Sequence, residues 1–171
     1  MGFELSYNCK KCGYYFWAQV GFGHHYPLEY QRIIKKMKEG EFGEQGKEFL
    51  EVFPDGAIDC DYIVVQCDDC SNLMEVPEDL SLYIPKEGYD PTKQDRSIPW
   101  STAFSGKGCK YVAFFELREH YELFERYDHR CLKCNGHTSV VYEETSDRIN
   151  KMVPCPECGE ILEVLTVGHW A

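Results

Sequence analysis

The chain has 171 residues, of which 43% are hydrophobic, and its 12 Tyr and 10 Phe offer large buried areas, so a packed core is attainable. With only 14 Gly, 8 Pro and no low-complexity tract, it does not read as a disordered chain. The formal net charge of −11 repels phosphate backbones and attracts basic protein surfaces, so nucleic-acid binding would need a local basic patch.

The first residues, Met1-Gly2-Phe3-Glu4-Leu5-Ser6, have neither a basic start nor an apolar run. The longest apolar stretches are too short to span a bilayer. The expectation is a cytoplasmic protein without a membrane partner. In that setting the 10 cysteines need an explanation, and eight of them stand in C-x-x-C pairs, which favours metal over disulfides.

The first pair is Cys9-Lys10-Lys11-Cys12, and the aromatic run Tyr14-Tyr15-Phe16-Trp17 predicts a strand leaving it, continuing through Val20. Pro27 suits the start of a helix, and Tyr30, Ile33, Ile34 and Met37 form one helical stripe that Gly40 stops. A second helix is expected from about Glu44 to Phe53, with Phe49, Leu50 and Phe53 inward, before Pro54-Asp55-Gly56 turns the chain. Ile58 to Gln66 reads as one strand, with Ile58, Cys60, Tyr62 and Val64 on one face and Asp59 and Asp61 on the other. It leads into Cys67-Asp68-Asp69-Cys70, and Leu73 to Val76 returns. Residues 77–112 give no firm regular structure but are too apolar for a free linker. Tyr111 to Tyr127 reads as a helix, with Phe114, Leu117, Tyr121 and Phe124 on one stripe. The third pair, Cys131-Leu132-Lys133-Cys134, precedes a strand from Thr138 to Glu143. The fourth, Cys155-Pro156-Glu157-Cys158, precedes a closing strand from Ile161 to Val167.

Two residues between cysteines let both sulfurs reach one ion, and two such knuckles make a tetrahedral thiolate site. Twenty residues separate Cys134 from Cys155, the spacing expected of one four-cysteine site. Between Cys12 and Cys67 lie 54 residues, an insert that the helical segment accounts for, because loop closure costs free energy only logarithmically. The simplest pairing is therefore sequential: Cys9, Cys12, Cys67 and Cys70 on one ion, Cys131, Cys134, Cys155 and Cys158 on the other. Crossed pairing among the four knuckles is the alternative.

Cys9-Lys10-Lys11-Cys12-Gly13-Tyr14 and Cys155-Pro156-Glu157-Cys158-Gly159 resemble the knuckles of the zinc-ribbon and rubredoxin superfamily. The resemblance covers the knuckles and their flanking strands, roughly a third of the chain. Ser71 and Asn135 depart from it by standing where the other two knuckles have glycine. The overall layout resembles uncharacterised bacterial proteins with paired zinc ribbons, which supply no activity. The expected fold is α+β, with two zinc-ribbon-like β units, inserted helices and a connecting helix. Its expected divisions are 1–76, an N-terminal ribbon with a helical insert at about 27–53; 77–127, a connecting segment and helix; and 128–171, a C-terminal ribbon. The expected cofactor is two structural zinc ions, with iron in a rubredoxin-like site as the rival.

Cys60 lies on the apolar face of its strand and reads as a small buried residue. Cys109, between Lys107 and Lys110, is either an idle thiol or a reactive one. His24-His25 reads as a polar loop before a third metal or substrate site. Arg32, Lys35, Lys36 and Lys38 form the single plausible phosphate-facing patch, against a solvated helix face. Four thiolates leave no open coordination position for a substrate. The functional expectation is therefore a non-enzymatic, acidic protein-interaction module whose partner carries a basic surface. Rival readings are a nucleic-acid-associated regulator and an inhibitor whose acidic surface mimics nucleic acid. An enzyme acting through Cys109 or histidine comes last.

Overall fold

Phe3, Leu5 and Tyr7 alternate with Glu4, Ser6 and Asn8, and that two-residue period forms β1 (Gly2–Asn8), a strand that no turn signal announces. The structure is a computed structural model that describes residues 2–21, 23, 26–77, 80–93, 111–142 and 152–170. The fold is α+β, with three small antiparallel sheets and few helices. The chain forms two compact units that interleave in sequence: Met1–Gly23, Asp61–Asp79 and Asp128–Ala171 make one, His24–Cys60 and Leu80–Tyr127 the other.

In the first unit, β1 is flanked by β2 (Tyr15–Val20) and, from the far end of the chain, β9 (Glu163–Trp170). A second sheet repeats the plan, with β4 (Tyr62–Cys67) between β5 (Leu73–Pro77) and β8 (Thr138–Tyr142). The correspondence extends to irregularities: the β1–β9 register shifts between Glu4 and Leu5, and the β4–β8 register shifts between Val64 and Val65. Two backbone hydrogen bonds between Gly21 and Tyr62, of 2.7 and 3.1 Å, tie the sheets together. Their shared core holds Leu5, Tyr7, Ala18 and Val20 from the first sheet, Val64 and Leu73 from the second, and Val153 and Leu162.

In the second unit, α1 (Tyr26–Glu39) buries Tyr26, Tyr30, Ile33 and Met37, close to the expected stripe. It ends where Gly40 takes φ 81° and the Glu41 amide donates to the Lys36 carbonyl at 3.0 Å, the left-handed stop that glycine favours. Next, α2 (Gly43–Val52) buries Phe49. A third sheet orders β3 (Ala57–Ile58), β6 (Leu82–Pro85) and β7 (Tyr121–Glu125), and Pro91–Lys93 forms a short 3-10 turn. Thus part of the 77–112 segment is regular.

Two expected elements are corrected. The strand from Ile58 to Gln66 is broken into β3 and β4, which belong to different units. The Asp59 amide donates to the Ser81 carbonyl at 2.9 Å and the Ile58 amide to the Tyr30 hydroxyl at 3.3 Å. Asp59 and Asp61, which alternation sets on the face opposite Ile58 and Cys60, are both buried. The helix expected over Tyr111 to Tyr127 shrinks to α3 (Phe114–His120), and the chain then extends as β7. Beside β6, the backbone of Tyr121 to Glu125 finds ladder partners at Pro85, Ile84, Tyr83 and Leu82, and that tertiary pairing overrides the helical period.

Candidate metal centres

Each knuckle is a backbone device before it is a metal device. In the first, the Cys9 amide donates to the Tyr14 carbonyl at 2.9 Å and the Gly13 amide to the Cys9 carbonyl at 3.0 Å. The same two bonds recur at Cys67 with Asn72 and Ser71, at Cys131 with Gly136 and Asn135, and at Cys155 with Glu160 and Gly159. The turn needs a left-handed residue directly after the second cysteine. Gly13 has φ 80°, Ser71 59°, Asn135 61° and Gly159 74°. Ser71 and Asn135 therefore keep the knuckle geometry despite carrying side chains. Amide groups also point at sulfur: Cys70 N lies 3.5 Å from Cys67 Sγ, Lys133 N 3.4 Å from Cys131 Sγ, and Glu157 N 3.4 Å from Cys155 Sγ.

All eight cysteines that the spacing singles out lie in two clusters, but their partners are crossed. One cluster is Cys9, Cys12, Cys155 and Cys158, the other Cys67, Cys70, Cys131 and Cys134; within each, all ligand atoms lie within 4.8 Å of one another. The sequential pairing is therefore incorrect. Sheet topology supplies the reason. The first two knuckles sit inside hairpins, β1–β2 and β4–β5, and bring two strands each. The last two each precede a single strand, β8 or β9. A three-stranded sheet needs one knuckle of each kind. Sequential pairing would have combined the two hairpins and left the two single strands together.

The donor sets fit a tetrahedral ion. Cys9 and Cys158 sulfurs are 3.5 Å apart, Cys12 and Cys155 3.6 Å, Cys67 and Cys134 3.4 Å, and Cys70 and Cys131 3.7 Å. Bonds of ~2.3 Å to a central ion place tetrahedral sulfurs about 3.8 Å apart, whereas a disulfide needs ~2.05 Å. In each cluster two cysteines are buried, one half-buried and one exposed, the exposed ones being Cys12 and Cys134.

Electrostatics argues the same way. The backbone amide of Cys12, with help from that of Lys11, brings the Cys9 thiol down to about 7 against the effect of burial. Cys12 is lowered by the Tyr14 amide, but burial and the Cys9, Cys155 and Cys158 sulfurs outweigh it and push the thiol up to about 12. In the other cluster burial raises Cys131, while the Lys133 and Cys134 amides and the Cys70 and Cys67 sulfurs prevail and bring it to about 7. The Gly136 amide lowers Cys134, yet the Cys67 and Cys70 sulfurs and burial carry it to about 12. Four thiols this close do not ionise together unless a cation shares their charge.

The remaining candidates form no comparable centre among the described residues. Cys60 is buried, as expected of a small apolar side chain. Cys109, His24 and His25 lie outside the described residues. The His120 ring stacks on Tyr89 with centroids 4.4 Å apart, and His137 Nδ1 lies 3.3 Å from the Asp128 carboxylate. In the basic patch Arg32 pairs with Glu29 at 2.6 Å, Lys35 with Glu39 at 3.7 Å and Lys36 with Glu41 at 2.8 Å. No family model matches this chain, and no curated protein or solved structure matches it either.

Proposed function

We propose that each four-cysteine cluster holds one structural zinc ion, and that the resulting pair of zinc ribbons serves as a non-enzymatic protein-interaction module with an acidic surface. The carrying observation is the pair of all-sulfur clusters, one made by Cys9, Cys12, Cys155 and Cys158 and the other by Cys67, Cys70, Cys131 and Cys134. Borderline-soft Zn²⁺ suits four thiolates, and a saturated tetrahedron has no position left for water or substrate. The ions would then act as cross-links that fix strands distant in sequence. Loading both clusters takes the formal charge from −11 to about −15, strengthening the attraction for a basic protein surface. The patch on α1 makes a weak case for a phosphate ligand, because carboxylates beside Arg32, Lys35 and Lys36 offset their charge.

Elemental analysis of the purified chain should return two zinc ions per molecule in a colourless solution, and chelation should unfold it. A red protein with iron in both clusters would replace zinc by a rubredoxin-like centre. The interaction reading is tested by pull-down with the zinc-loaded chain. A specific basic protein, released by salt, is expected; recovery of nothing but nucleic acid would reject it.

A further inference from the structure

Strand β9 closes one side of the β2-β1-β9 sheet, and among the described residues nothing pairs with its outer edge. In an antiparallel ladder, successive residues direct their N–H and C=O groups to opposite sides. Because Cys9 bonds to Tyr14 on the β2 side, Tyr7, Leu5 and Phe3 also address β2, whereas Asn8, Ser6 and Glu4 address β9. Their partners Glu163, Leu165 and Gly168 point back at β1. Val164, Thr166 and His169 are left with backbone groups directed outward. The strand is eight residues long, Glu-Val-Leu-Thr-Val-Gly-His-Trp; it carries no lysine or proline of the kind that blunts an edge, and its Glu163 to Thr166 half runs free of the register shift that leaves Val167 unpaired.

The sheet face beside this edge has a defined chemical order. The Glu163 carboxylate comes first, held among the described residues by an exposed ion pair with Lys10 at 2.9 Å. Leu165 follows, 46% exposed, in the row of Ser6 and Trp17, with Trp17 itself 42% exposed. Next, the Glu4 carboxylate lies over Gly168, whose missing Cβ would fall 2.5 Å from Glu4 Oε2. The row order is therefore acidic, apolar, acidic at alternate β1 positions.

We propose that the outer edge of β9 accepts an extended segment of another protein as a fourth strand, with basic side chains on either side of an apolar one at alternate positions. This assignment rests on the acidic interaction reading and gives it a surface. Backbone pairing to Val164, Thr166 and His169 supplies the attachment, and the Glu163, Leu165, Glu4 order supplies selectivity. The Lys10 ion pair is exposed and exchanges readily for a competing cation. A second copy of the chain is the poorer occupant, since each molecule brings a charge of −11.

The test uses the zinc-loaded full chain and two capped peptides, Thr-Arg-Thr-Val-Thr-Arg-Thr and its counterpart with Glu in place of both Arg. Titration is followed by calorimetry and by amide NMR. The arginine peptide should bind, more weakly as salt rises, with shifted and exchange-protected amides at Val164, Thr166 and His169; the glutamate peptide should not. Glu4→Gln and Glu163→Gln should each weaken binding roughly two- to fivefold. Thr166→Pro removes one outward N–H and should abolish it; Thr166→Lys, which keeps the backbone but sets a charge on the edge, should weaken it. If the arginine peptide binds but both Thr166 variants bind equally well, the edge assignment is wrong while the acidic interaction reading stands. If no basic ligand binds at low salt, that reading falls with it. Self-association lost in Thr166→Lys would give the edge to a second copy and overturn the proposal.

Discussion

Ser71 and Asn135 show how a knuckle tolerates a departure from glycine. Both hold the left-handed conformation that Gly13 and Gly159 hold in the sister turns. An L side chain there costs about 1–2 kcal/mol, less for asparagine, whose short amide favours the region. Ser71→Gly should therefore stabilise the metal-loaded protein by about 1 kcal/mol, seen as a higher midpoint in guanidinium with an unchanged slope. The ligands themselves bring a pH dependence. The Cys9 and Cys131 thiols, at about 7, ionise near neutrality, whereas Cys12 and Cys134, at about 12, keep their protons until a metal displaces them. Metal affinity should fall as pH falls through 7, and binding at neutral pH should release protons, measured by calorimetry in buffers of different ionisation enthalpy. The two clusters' knuckles are legible in the sequence because a pair of thiols two residues apart is a short, local signature. Which thiols meet is not, since that depends on strands far apart in the chain.

Among the elements, α1 is legible nearly to its ends because a single apolar stripe and a terminal glycine agree. The stretch 111–127 misleads for a physical reason: Phe114, Leu117, Tyr121 and Phe124 satisfy a helical period, yet Tyr121 onward pairs with β6. Short amphipathic runs carry both periods, and only the neighbouring strand decides. The converse holds for β1, whose alternation is present but unaccompanied by turn signals on its leading side. Burial makes β1 the central strand of its sheet in energy as well as position. Leu5 is fully buried in the core shared by both sheets of the unit. Leu5→Ala should cost about 2–5 kcal/mol in equilibrium unfolding. Leu165→Ala, on the exposed face of β9, should stay within about 0.5 kcal/mol.

Across the molecule, the crossed pairing makes a clear stoichiometric prediction. Replacing Cys9 and Cys155 by serine removes two ligands from one cluster and should leave one bound ion per chain, whereas replacing Cys9 and Cys67 damages both clusters and should leave none. Sequential pairing demands the opposite, and metal analysis of the two double variants separates them. The nesting also orders events during synthesis. As the polypeptide leaves the ribosome, Cys134 completes the inner set while Cys9 and Cys12 still wait for Cys155 and Cys158. A nascent chain can thus take up its inner ion with the outer one still unclaimed. Until Cys158 and β9 have emerged from the ribosome, β1 lacks both its partner knuckle and its second neighbouring strand, and the Leu5 core stays incomplete. An ion in the outer cluster would act as a latch that can close only after the final knuckle has emerged.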